Sequence, residues 1–158
     1  MAETGDRATL VELLDDLPIA MFTTYGGSGV RSVPMARQET EPGAEMWFIA
    51  DRTSQHVADI EVEPRVSLTF SSRDTWVALT GTAAVLDDRD KLAELWNTFA
   101  EAWLPGGPDN PDAVLLKVDV AAAEYWDTPG SKVASLISFA KTKLTGEPLE
   151  TDHGVVKT

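Results

Sequence analysis

The segment Trp47 to Phe70, WFIADRTSQHVADIEVEPRVSLTF, constrains this chain more than any other. It reads as strand, hydroxyl-bearing turn, one short helix, proline break and strand. Thr53 and Ser54 open the helix. Two hydroxyls and the N–H groups of a first helical turn therefore converge where an anion, and a phosphate above all, finds donors. The plain alternative is that both residues only cap the helix, which contributes about 1 kcal/mol.

Composition narrows the classes of function. A chain of 158 residues suits one domain with a sizeable core, and 43% hydrophobic residues is too many for a disordered chain. Lys and Arg total 13 against 26 Asp and Glu, a formal net charge of −13. That balance argues against nucleic-acid and anionic membrane partners, which recruit clustered cations. It leaves room for one buried phosphate in a local nest of N–H groups. The absence of cysteine excludes disulfides, thiolate metal sites and cysteine nucleophiles, and two histidines are too few for a His-rich metal centre. The opening MAETGDRATLVELLDDL has no apolar signal core, and no apolar run approaches the roughly 20 residues of a membrane span. The expectation is a cytoplasmic protein with no metal.

Periodicity gives the order of elements. Ala8 to Asp16 reads as a helix, Ile19 to Thr24 and Val30 to Gln38 as a strand pair turning at Gly26, Gly27 and Gly29. Pro34 has no N–H to donate, which puts its strand at an edge, a bulge or a ligand site. Glu45 to Ala50 is a strand, Ser54 to Glu61 a helix with Val57 and Ile60 inward, and Arg65 to Ser71 and Thr75 to Leu86 are strands. Gly81 in the last of these predicts a bend or barrel corner. Asp87 or Asp88 caps a helix running to about Ala102, whose inner face carries Leu92, Leu95, Trp96, Phe99 and Trp103. Ala113 to Val120 is a strong strand that Ala123 to Trp126 extends, and Lys132 to Thr145 an amphipathic helix. One domain then covers residues 1–146, with a polar tail over 147–158. Six or so strands joined mainly by hairpins, with helices between some, predict an α+β, mainly β, antiparallel barrel with peripheral helices. The GGSG at Gly26 to Gly29 is a hairpin turn and not a dinucleotide fingerprint.

The ordered series RSVPMA, WFIADRTSQHVADI, EPRVSLTF, WVALTGTAAVLDDRDKLAELWNTF and WLPGGPDNPDAVLLKVDVAAAEYWD resembles the pyridoxamine 5′-phosphate oxidase-like, FMN-binding split-barrel superfamily, and within it the general stress protein branch. The resemblance runs from Leu10 to Asp127. It implies a six-stranded split barrel and a homodimer with FMN at the subunit interface. In the family, the stretch after the third strand reaches the FMN phosphate, which assigns Thr53, Ser54, Gln55 and His56 to that role. Ser54 falls on the Ser of a Ser-Arg-Lys pattern, and Gln55 and His56 fall on its two basic positions. Hydrogen bonding survives this departure, while attraction for a dianion weakens. The family's Arg-Pro-Met triplet reads Val33-Pro34-Met35 here. Arg31, two residues earlier on the same strand face, is the substitute, with Arg37 the next same-face cation and Gln38 near a frequent Lys.

Trp126 follows a strand and precedes a turn, so it is placed at the barrel mouth or dimer interface, where an aromatic packs on an isoalloxazine ring. Trp76, Trp96, Phe99 and Trp103 are assigned to the core. No acid–base dyad is visible and no catalytic residue is assigned, which suits chemistry carried by a flavin. The expected function is that of an FMN-dependent, stress-related oxidoreductase passing electrons from a reduced nicotinamide to a small acceptor. The alternatives are a flavin-binding module without turnover, or a barrel holding a deazaflavin or haem. Pyridoxamine-phosphate oxidation is not expected, because the chain has no Arg after Arg89 for a substrate phosphate.

Overall fold

The computed structural model describes residues 3–4, 7–27, 29–38, 45–128 and 152–157. The elements run β1 (Glu3–Thr4), α1 (Arg7–Asp15), β2 (Ile19–Gly26), β3 (Gly29–Ala36), β4 (Glu45–Asp51), α2 (Gln55–Val62), β5 (Arg65–Ser71), β6 (Thr75–Leu86), α3 (Arg89–Leu95), α4 (Thr98–Trp103), a short 3-10 turn (Gly107–Asp109), β7 (Ala113–Asp127) and β8 (Asp152–Lys157). The six longer strands β2 to β7 form one antiparallel system in the order β3-β2-β5-β6-β7, with β4 on the first half of β7. The sheet curls until its two edges meet, and the Gln38 N–H donates to the Trp47 carbonyl at 2.9 Å across that seam. The result is a split barrel that is mainly β.

Alternation drives the curl. Ala20, Phe22 and Thr24 of β2, Met46, Phe48 and Ala50 of β4, Val66, Leu68 and Phe70 of β5, and Val77 and Leu79 of β6 all point inward and are buried. Phe22 and Phe48 meet edge to face at 5.1 Å between ring centroids. Ala113 to Leu116 of β7 are buried on both faces, because α3 and the Leu104 turn cover the outer side with Leu92, Leu95 and Leu104. At Gly81 the β6–β7 register shifts, and a Cβ there would lie 2.1 Å from the Asp119 carbonyl oxygen. Only glycine permits that approach, so the expected corner is a bulge with a steric cause. Pro34 lies in β3, an edge strand that pairs only with β2.

Three readings need correction. The helix expected from Asp88 to Ala102 is two helices. Asp88 caps α3 through the Lys91 N–H, the backbone turns extended at Trp96, and Asn97 caps α4 through the Ala100 N–H. The helical period is broken there, and Phe99 and Trp103 end 52% and 74% exposed rather than in the core. Trp76 is 44% exposed, because Val77 and Leu79 set the inward phase of β6. Residues 152–157, read as part of a polar tail, form β8, which pairs antiparallel with Ala122–Asp127 and parallel with β1. The helix expected over Lys132 to Thr145 lies outside the described residues.

Candidate functional site

Asp51 at the end of β4 builds the turn that starts α2. The Thr53 N–H and Oγ1 both donate to Asp51 Oδ1, at 2.8 and 2.7 Å. The Ser54 N–H and Oγ donate to the Asp51 carbonyl, at 3.0 and 2.6 Å. This is an Asx-type turn, in which a carboxylate satisfies the amides two residues on. Its consequence is that Ser54, although at the N-cap position, makes no side-chain bond to a helix amide. Among the described residues, no side chain caps the first turn of α2.

His56 Nε2 lies 3.3 Å from Ser54 Oγ. The hydroxyl proton is already given to Asp51, so the contact is satisfied when Nε2 carries the imidazole proton. Burial lowers the His56 pKa, Arg31 lowers it further, and the carboxylates of Asp59 and Asp51 work against that trend.

One turn further along α2, Asp59 is 4% exposed. It accepts from Gln55 Nε2 at 3.0 Å and Thr24 Oγ1 at 2.9 Å, and Arg31 Nε lies 3.7 Å from its Oδ2. Thr24 and Arg31 are direct cross-strand partners in the β2–β3 hairpin, so one carboxylate joins helix and hairpin. Gly26 makes space for it: a Cβ there would sit 2.0 Å from Asp59 Oδ1. The hydrogen bond from Gln55 lowers the Asp59 pKa most, helped by Thr24 and Arg31 and opposed by burial.

The structure thus gathers Arg31, Thr53, Ser54, Gln55 and His56 around the start of α2. It adds Asp51, Thr24, Gly26 and Asp59, none of which the sequence singled out for this site. The remaining expected residues lie elsewhere. Along β3, Val33 is half-buried, Pro34 is exposed on the outer face opposite Met21, and Met35 is buried in the core. Arg37 is turned to α1, with Nη2 3.0 Å from the Leu14 carbonyl and 3.9 Å from Asp15. Gln38 is buried at the seam, where its Oε1 accepts from Asn97 Nδ2 at 2.5 Å. Trp126 stands beside Trp76 on the outer face of β6 and β7 and lines an open cleft of about 440 Å³ with Thr69, Ser71 and Ala78. That cleft is at the Ile19 end of β2, whereas Asp59 binds at Thr24, roughly 16 Å along the strand. Within one chain, Trp126 and the start of α2 are separate. Among the described residues no group of three or more His, Asp or Glu is placed to hold a metal, and no helix is long and apolar enough to cross a membrane.

This fold has counterparts among known proteins. A family profile described as pyridoxamine 5′-phosphate oxidase like matches residues 5–150. The structure of a general stress protein 26 from Jannaschia sp. CCS1 is 30% identical, with a TM-score of 0.79 over 96% of this chain and 99% of that one. The general stress FMN/FAD binding protein of Xanthomonas citri is 25% identical, with a TM-score of 0.70 over 79% of this chain and 90% of that one. Protein bli-3 of Neurospora crassa is 26% identical over 125 residues, 72% of this chain, and the chain spans 60% of that protein's length. By the extent of the profile match and the fit to the Jannaschia structure, the chain belongs to the pyridoxamine 5′-phosphate oxidase-like family, in its general stress protein branch.

Proposed function

We propose that this protein binds FMN, with the phosphate at the start of α2, and acts as an oxidoreductase between a reduced nicotinamide and a small acceptor. The observation that carries the reading is the uncapped first turn of α2. Its amides have no side-chain acceptor, while Arg31, Gln55 and His56 stand around them. A helix start of that kind fits an anionic group. The Xanthomonas citri relative, named for FMN/FAD binding, supports a flavin as the carrier of that group. Bound flavin supplies the electron chemistry; the protein's part is to hold, orient and shield it. In this reading the α2 amides and Arg31 hold the phosphate, and His56 offers a hydrogen bond at its rim.

The same reading places two copies of the chain face to face. Ile19, Met21 and Tyr25 of β2, Val30 of β3 and Trp76 of β6 expose 41–70% of their surface. Strand phase puts all five on the outer side of one sheet. A gathered apolar face of this kind marks a protein interface. Trp126 joins the flavin site only if the second copy brings it there.

Titrating flavin-free protein with FMN tests this function. A saturable change in the flavin spectrum at one FMN per chain, followed by bleaching with NADH or NADPH, is the expected result. An unaltered spectrum overturns it. A second reading, a deazaflavin or haem in place of FMN, draws on the engagement of both Gln55 and Arg31 by Asp59, which leaves less charge for a phosphate. The visible spectrum of the ligand isolated with the protein separates the two.

A further inference from the structure

Among the described residues, Asp59 is the one charged side chain in the buried core. A buried carboxylate is costly unless its surroundings are built for it. Here they are: Gly26 leaves space that any Cβ would fill, and Thr24 and Gln55 each give a hydrogen bond. Yet the charge has the wrong sign for a phosphate site. Asp59 lies one turn below the anion-facing end of α2, and Asp51 lies just before it. The one guanidinium at this site, Arg31, already has Asp59 as its partner.

Asp59 also changes what its neighbours present. Gln55 directs Nε2 to Asp59, which leaves its Oε1 as an acceptor for an incoming ligand. Arg31 shares its charge with Asp59 at 3.7 Å. A phosphate dianion has no use for an acceptor carbonyl and needs uncompensated cations. A neutral polyol end, which both donates and accepts, loses nothing.

Resting on the flavin reading above, we propose that Asp59 is the selectivity residue of this site: by engaging Gln55 and Arg31 it cancels the charge that would favour a terminal phosphate. The protein takes riboflavin as well as FMN, with similar affinity.

The test titrates flavin-free protein with FMN and with riboflavin, following flavin fluorescence. In the wild type the two dissociation constants lie within about tenfold. Asp59→Asn tightens FMN about tenfold, the size expected when one charge several ångströms away is removed, and moves riboflavin less than about twofold. Arg31→Gln, at a half-exposed position, does the reverse: FMN weakens about tenfold and riboflavin holds. If Asp59→Asn fails to fold, the wild-type ratio and Arg31→Gln decide. Wild-type discrimination for FMN well above about tenfold, or equal shifts of both flavins in the variants, overturns the role of Asp59 while leaving flavin binding intact. Failure of both flavins to bind overturns the flavin reading, and the selectivity with it.

Discussion

Ser54 Oγ donates to the Asp51 carbonyl at 2.6 Å, away from the helix that Ser54 opens. A serine at an N-cap ordinarily accepts from the amides two or three residues on. Asp51 captures both hydroxyls of the turn instead, and the helix start has no side-chain cap among the described residues. The same relationship decides how the turn responds to substitution.

Ser54→Ala removes no bond to a helix amide, only the 3.3 Å contact with the His56 ring. Its cost to stability is expected near or below about 0.5 kcal/mol, less than the roughly 1 kcal/mol of a working cap. Asp51→Ala leaves the carbonyl that Ser54 uses but releases the Thr53 N–H and Oγ1 together, and costs more, about 1–2 kcal/mol. Urea unfolding of the two variants checks the order.

His56 gives the site a pH dependence whose sign follows from burial. Its folded pKa is depressed below the unfolded value of about 6.5. Between those two values the unfolded chain binds the additional proton, so the His56 contribution to stability is complete above about pH 6.5 and is lost as pH falls toward the folded value. A phosphate beside the ring favours the protonated form, so FMN binding takes up a proton. FMN affinity is expected to rise from about pH 8 to about pH 6.5 in the wild type and to stay level in His56→Gln, with riboflavin level in both. Paired titrations at the two pH values measure this.

Gly81→Ala forces a Cβ against the Asp119 backbone, which has no rotamer with which to yield. A loss of about 1–3 kcal/mol is expected, as for overpacking elsewhere. Trp103→Ala, at a site 74% exposed, is expected to stay within about 0.5 kcal/mol. Thermal or denaturant unfolding distinguishes them.

Met21→Glu places a charge in the middle of the apolar face made by β2, β3 and β6. Light scattering is expected to give about twice 17.1 kDa for the wild type and about 17.1 kDa for the variant. A wild type that scatters as a monomer contradicts the face-to-face arrangement.

The strands were legible because one face of each is buried. Val66, Leu68 and Phe70 alternate so cleanly that β5 is bounded as expected at Arg65 and Ser71. β6 follows the same rule through Val77 and Leu79, and that phase also sends Trp76 outward, against the tendency of tryptophan to be buried. The helix after β6 was misread because Leu92, Leu95, Trp96, Phe99 and Trp103 keep a helical spacing across a break. Asn97, a strong capping residue inside that run, was the available signal. Trp126 was expected near the ring, but the single chain holds it at the far end of β2 from Thr24. Asp59 could not be assigned from sequence. Its partners Thr24, Gly26 and Arg31 belong to a hairpin far back in the chain, and only the curl of the sheet brings them beneath α2.

The most direct measurement is FMN titration of the flavin-free wild type beside the Arg31→Gln/His56→Ala double variant. Saturation at one FMN per chain, with affinity at least about tenfold weaker in the double variant, is the predicted result for a phosphate held at the start of α2. Equal affinity in the two proteins, or no saturable binding by the wild type, contradicts it.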